Sequence, residues 1–135
     1  MQLPAADSVP ILSEPDVVAA RQAVRRLTQQ LGFSLVDQTK FVTAASELAR
    51  NALIYGGGGR MQWEILTNGP RNGLRLSFID EGPGIPNLEL AMQDGYSTGN
   101  SLGLGLPGSR RLMDEFEIDS EIGSGTTITM KKWVR

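Results

Sequence analysis

Val17, Ala20, Val24, Leu27 and Leu31 recur at steps of three and four, placing apolar groups on one helical face while Arg21, Arg25 and Arg26 point elsewhere. Ser13 or Asp16 is placed to cap this helix, Pro15 suits its first turn, and Gly32 stops it near Leu31. A second helix is predicted from about Ser34 or Val36 to about Tyr55, with Phe41, Ala45, Leu48 and Ala52 as its buried stripe. The run Gly56-Gly57-Gly58-Gly59 ends it and reads as a flexible connection.

Beyond the glycines the period changes to two. Met61, Trp63 and Ile65 alternate with Gln62 and Glu64, and Leu74, Leu76 and Phe78 share one face of a second strand. The turn-rich Asn68-Gly69-Pro70-Arg71-Asn72-Gly73 between them predicts an antiparallel hairpin, which ends at Asp80. A short helix over 87–94, a mobile loop over 95–103, a helix from about Leu104 to Glu115 and strands near 116–120 and 126–133 complete the pattern. Residues 1–14, with Pro4 and Pro10, read as an arm or short edge strand, and 15–135 as a single domain. Helices and strands segregated in this way predict an α+β fold, with helices packed on one face of a mixed, mostly antiparallel sheet.

Composition narrows the chemistry. The 135 residues suffice for one domain with one core. With neither Cys nor His, the chain lacks disulfides, thiolate metal sites, imidazole bases and any phosphohistidine of its own. Thirteen basic against fifteen acidic residues, a net charge of −2, argue against nucleic acid as a partner. No apolar run approaches the roughly 20 residues of a membrane helix, and no secretory signal is visible, so a cytoplasmic protein is expected. Catalysis must then use carboxylates, amides, hydroxyls or a borrowed metal. Of the sixteen glycines, only Gly32 falls in the first 55 residues and seven fall between Gly82 and Gly108, which concentrates candidate ligand loops in the second half.

Four groups of residues could carry chemistry. Glu47 and Asn51, four apart on a helix, share a face, and the amide oxygen suits a hard cation such as Mg²⁺. Taken alone, a solvated polar face would explain them better, although the two interrupt a helix otherwise built of Ala, Leu and Ile around them. Asp80 in Asp80-Glu81-Gly82-Pro83-Gly84 ends a strand beside two glycines that allow a flat ligand close approach, although a tight turn has the same composition. Gly103-Leu104-Gly105-Leu106-Pro107-Gly108 fits the string of a dinucleotide fingerprint but follows no strand, which leaves a glycine loop opening a helix and offering N–H groups to phosphate. Gly123-Ser124-Gly125-Thr126-Thr127 joins the last two strands as an ordinary hairpin turn would.

The order and spacing Glu47…Asn51, Asp80-x-Gly-x-Gly84, Gly103-x-Gly105 and Gly125-Thr126 resemble the N box and glycine boxes of the GHKL ATPases. Within that superfamily Ser46-Glu47-Leu48-Ala49-Arg50-Asn51, Gly95-Tyr96-Ser97-Thr98, Gly103 to Gly108 and Arg111-Leu112-Met113-Asp114-Glu115-Phe116 look like the anti-sigma-factor serine/threonine kinase branch, closest to RsbT-type switch kinases. The likeness spans about residues 15 to 133.

This resemblance implies a Bergerat-type fold that binds ATP with Mg²⁺. Asp80 matches the aspartate that accepts from the adenine amino group, with Gly82 and Gly84 beside the base. Thr126 matches the threonine that helps close the adenine circuit, Thr127 being the alternative. Asn51 matches the Mg²⁺ ligand and Glu47 the general base. Gly103, Leu104, Gly105 and Gly108 match the phosphate-lining turn, and residues 95–102, with Ser97 and Thr98, the lid. A STAS-domain protein is the implied phosphorylation substrate. A metal-dependent serine phosphatase is implied as a later partner, and a sigma factor is the weaker alternative. The pattern departs from several relatives in having no Lys or Arg from Ile85 through Ser109. Neutralising the γ-phosphate then falls to Mg²⁺, backbone N–H groups, Ser97 or Thr98, and Arg50.

Overall fold

A computed structural model describes residues 2–84 and 105–135. The element order is β1 (Ala6–Ile11), α1 (Glu14–Leu31), α2 (Leu35–Ile54), β2 (Gly59–Asn68), β3 (Arg71–Asp80), α3 (Gly105–Arg111), β4 (Glu115–Glu121) and β5 (Gly125–Trp133). The strands form one five-stranded sheet in the order β1-β2-β3-β5-β4, and each neighbouring pair is antiparallel. The N-terminal segment is therefore an edge strand. The expected short helix over 87–94 and the loop over 95–103 lie outside the described residues.

Local chemistry sets the helix ends. Ser13 caps α1 by accepting from the Asp16 N–H at 3.4 Å, while the Asp16 carboxylate accepts from the Leu12 N–H at 2.8 Å, a reciprocal arrangement that consumes otherwise orphan donors. Gly32 closes the helix in the left-handed region at φ 83°. Ser34 caps α2 through the Asp37 N–H at 3.1 Å. The helix expected from Leu104 to Glu115 is shorter than its apolar pattern: it ends at Arg111, and Glu115 already pairs with Lys131 in the sheet. Between them the Asp114 carboxylate accepts from the Trp133 N–H at 2.9 Å, a long-range bond that residue periodicity does not report.

All three helices lie on one face of the sheet. Phe41, Ala45 and Leu48 of α2 and Val17, Ala20, Val24 and Leu27 of α1 are buried in one core with Met61, Leu76, Phe78, Ile128 and Met130. Phe33 meets Phe41 edge to face at 5.6 Å. Full burial of each large apolar side chain contributes about 1.5–3 kcal/mol, so this layer holds α2 to the strands. An ionic anchor joins it at one end. Lys132, only 4% exposed, lies on the core face of β5, 3.8 Å from Asp37 in the first turn of α2 and 3.7 Å from Asp114. The opposite end of α2 reaches the end of β3, where Asp80 stands.

Candidate nucleotide site

Period-two alternation carries the apolar face of β3 through Leu74, Leu76 and Phe78 to Asp80, so the carboxylate belongs to the helix-covered face. In register, Asp80 pairs with Gly59 of β2 on one side and Thr126 of β5 on the other. Thr126 is 7% exposed, and its hydroxyl lies 2.8 Å from that of Ser120, its register partner on β4. A row of three polar side chains, Asp80, Thr126 and Ser120, therefore crosses three strands where the apolar rows end. Thr127 is one residue on and faces the opposite side of the sheet. The Gly82 N–H donates to Asp80 Oδ1 at 3.0 Å, which fixes one carboxylate oxygen in place.

Glu47 and Asn51 lie one helical turn apart on α2. Glu47 is buried, at 8% exposure, and Asn51 is half-buried. A carboxylate this enclosed is not part of a solvated face. Arg50 turns away from them, toward the start of α1, where it lies 3.7 Å from Glu14. The structure thus shows Arg50, one of the groups offered for the γ-phosphate, in a surface ion pair.

The glycine boxes divide. Gly84, at φ 80°, stands against the backbone of Glu121 and Ile122, and the Gly123 N–H donates to the Pro83 carbonyl at 2.9 Å, so the loop after β3 is laced to the β4–β5 turn. Gly105 is the first residue of α3, Gly108 lies within it, and α3 packs against α2. The Ser109 hydroxyl in α3 is fully buried with no hydrogen-bond partner among the described residues. Ser97, Thr98, Gly103 and Leu104 lie outside the described residues. Sequence reading missed Ser120, although its alternation with Phe116 and Ile118 on β4 places it inward. It also misread the run Gly56–Gly59. Gly57 and Gly58 adopt φ of 73° and 109°, while Gly56 and Gly59 abut Asp80 and its strand, so the run is a tightly shaped junction and no loose connection.

These residues fit the chemistry of a nucleotide and its metal. A fixed carboxylate beside a buried hydroxyl suits the amino edge of a base, and Mg²⁺ takes few protein ligands besides phosphates, so one carboxamide suffices. An antiparallel sheet covered on one face by helices, with this polar row at its end, is the Bergerat-type architecture of the GHKL ATPases. Over residues 36–134 the chain matches the family described as histidine kinase-, DNA gyrase B- and HSP90-like ATPase, and it belongs to that family. As such it binds ATP, with Mg²⁺ as the accompanying metal.

Its relatives narrow the branch. The chain is 48% identical over 127 residues to the serine/threonine-protein kinase RsbT of Bacillus subtilis, covering 94% of this chain and 96% of that protein. It is 33% identical over 118 residues to an anti-sigma F factor of Clostridium beijerinckii, covering 84% and 82% of the two chains. Among solved structures, that of the RsbU and RsbW domains of a Mycobacterium tuberculosis protein matches with a TM-score of 0.65 at 21% identity, covering 96% of this chain and 32% of the other, a likeness of fold. Among the described residues no helix is long and apolar enough to cross a membrane.

Proposed function

We propose that the chain is an ATP-dependent serine/threonine protein kinase of a partner-switching module, acting in the cytoplasm on a STAS-domain antagonist. The observation that carries this reading is the buried Glu47 carboxylate one turn from Asn51, on the helix whose end abuts Asp80. Binding of ATP alone needs no buried base. Bound Mg-ATP supplies the γ-phosphoryl group and the metal's charge neutralisation.

The chain's own residues do the rest. Asp80 accepts from the adenine amino group through the oxygen that Gly82 leaves available, and Thr126, aligned by Ser120, completes the contact to the base. Asn51 offers its amide oxygen to the metal. Gly105 and Gly108, with Gly103, Leu104, Ser97 and Thr98 before them, line the phosphates. Glu47 takes the proton of the substrate hydroxyl as that oxygen bonds to phosphorus and the bond to ADP breaks. Phosphoryl transfer depends chiefly on positioning and electrostatics, so the base contributes near the lower part of the usual 10²–10⁴-fold range. Release from the phosphorylated partner frees the kinase to bind a metal-dependent phosphatase. Sequestration of a sigma factor is the second reading, favoured by the likeness to anti-sigma F factors.

Glu47→Ala and Asn51→Ala separate these roles. Glu47→Ala is expected to bind Mg-ATP near normally and to transfer phosphate to a STAS substrate on the order of 10²-fold more slowly. Asn51→Ala is expected to fail already at Mg-ATP binding. Parental transfer rates in Glu47→Ala, measured with labelled ATP, would return Glu47 to a structural role and leave a nucleotide-gated binding module.

A further inference from the structure

We propose that Gly56, just past the end of α2, is a positioning residue for Asp80, and that its backbone contact with Gly82 locks the aspartate in its binding orientation. The inference rests on the reading of Asp80 as the adenine acceptor and adds to it the group that aims the carboxylate.

The constraint is steric. A Cβ placed on Gly56 would stand 2.6 Å from Asp80 Cβ, closer still to its Cγ, and 2.8 Å from the Ala52 carbonyl oxygen. Atoms that close cannot coexist, so one of them must move. Asp80 has little freedom to yield without turning, because its backbone is held between Gly59 and Thr126 and its side chain is short. Rotation about Cα–Cβ relieves only the contact with Cγ, so the backbone must also shift to separate the two Cβ atoms, and both movements draw the carboxylate away from Gly82, from whose N–H it now accepts at 3.0 Å. A Cβ on Gly82 would in turn stand 2.6 Å from Gly56 Cα and 2.7 Å from its carbonyl oxygen. The loop after β3 and the end of α2 thus meet backbone to backbone, with Asp80 enclosed between them. Neither glycine has a positive φ, so space rather than backbone conformation demands glycine at both positions.

Gly56 also joins two halves of the site. Its N–H donates to the Asn51 carbonyl at 3.2 Å, so the segment that confines Asp80 continues directly from the helical turn bearing Asn51. The aspartate and the α2 residues are in this way held at a fixed spacing.

Calorimetric affinities for Mg-ATP and Mg-GTP in the full chain test the inference, because a merely structural role lowers both alike. Gly56→Ala is expected to weaken ATP at least tenfold while changing GTP less than twofold, collapsing the preference for ATP. Gly82→Ala, which presses on the same contact from the other side, is expected to do the same and serves where Gly56→Ala does not fold. Gly57→Ala is the control: its φ of 73° strains the backbone, but open space surrounds its Cβ direction, so the preference is expected to persist. Equal losses for both nucleotides in Gly56→Ala, or an unchanged ATP affinity, would overturn the inference. Asp80→Asn distinguishes the two levels. If it keeps the parental preference, the adenine reading fails and takes this inference with it; if it loses the preference while Gly56→Ala retains it, only the role of Gly56 fails.

Discussion

Asp80→Asn changes one oxygen to an NH₂ without changing side-chain shape, and the structure dictates which way the new amide turns. One carboxylate oxygen already accepts from the Gly82 N–H at 3.0 Å. The asparagine carbonyl must keep that bond, since turning the amide over would set its NH₂ against the Gly82 N–H. The NH₂ then faces the amino group of adenine, donor against donor. Loss of a hydrogen bond to a charged acceptor costs about 1.5–3 kcal/mol, and leaving the opposed donors unsatisfied adds about 1–3 kcal/mol. At roughly 1.4 kcal/mol per decade, the two together weaken ATP on the order of 10²–10⁴-fold. The fold is expected to survive within about 1 kcal/mol, because the bond to Gly82 persists. Calorimetric titration with Mg-ATP measures the first quantity and urea unfolding followed by circular dichroism the second. An ATP affinity within about threefold of the parent, in a folded variant, would refute the placement of adenine at Asp80.

Three further outcomes follow from the same geometry. Thr126→Val keeps the shape of the side chain but removes the hydroxyl that meets Ser120, so ATP affinity is expected to fall several-fold, by about 0.5–1.5 kcal/mol, as read by calorimetry. Lys132→Met leaves Asp37 and Asp114 without the cation buried between them, and a loss of about 3 kcal/mol in urea unfolding is expected; an unchanged midpoint would show that Lys40 and Arg135 already suffice. Leu76→Ala opens a cavity at a fully buried position in the centre of the sheet and is expected to cost about 2–5 kcal/mol by the same measurement.

Much of the architecture follows from local pattern, because pattern and physics coincide there. The three-and-four spacing of α1 and α2, the serines that cap them and the alternation of β2 and β3 each report a face that must be buried, and the structure buries those faces together. Where a long-range contact overrides the pattern, local reading overshoots: the bond from the Trp133 N–H to Asp114 draws the chain into β4 after Arg111, so the last helix is shorter than its apolar residues suggest.

The candidate site divides along the same line. The amino-acid sequence alone determined which residue types occur and in what order, and this order, from Glu47 and Asn51 through Asp80 to Thr126, was enough to point to the GHKL ATPases. It favoured Thr126 but left Thr127 open as the alternative, because only the register of β3 against β5 decides which one shares a face with Asp80. It also offered Arg50 as one of several groups for the phosphates, since helix periodicity says nothing of Glu14 on a neighbouring helix. Gly56–Gly59 gave the sharpest difference. A run of glycines is locally indistinguishable from a flexible connection, and only the approach of β3, placed by pairings tens of residues apart, leaves no room at Gly56 for even a methyl group beside Asp80.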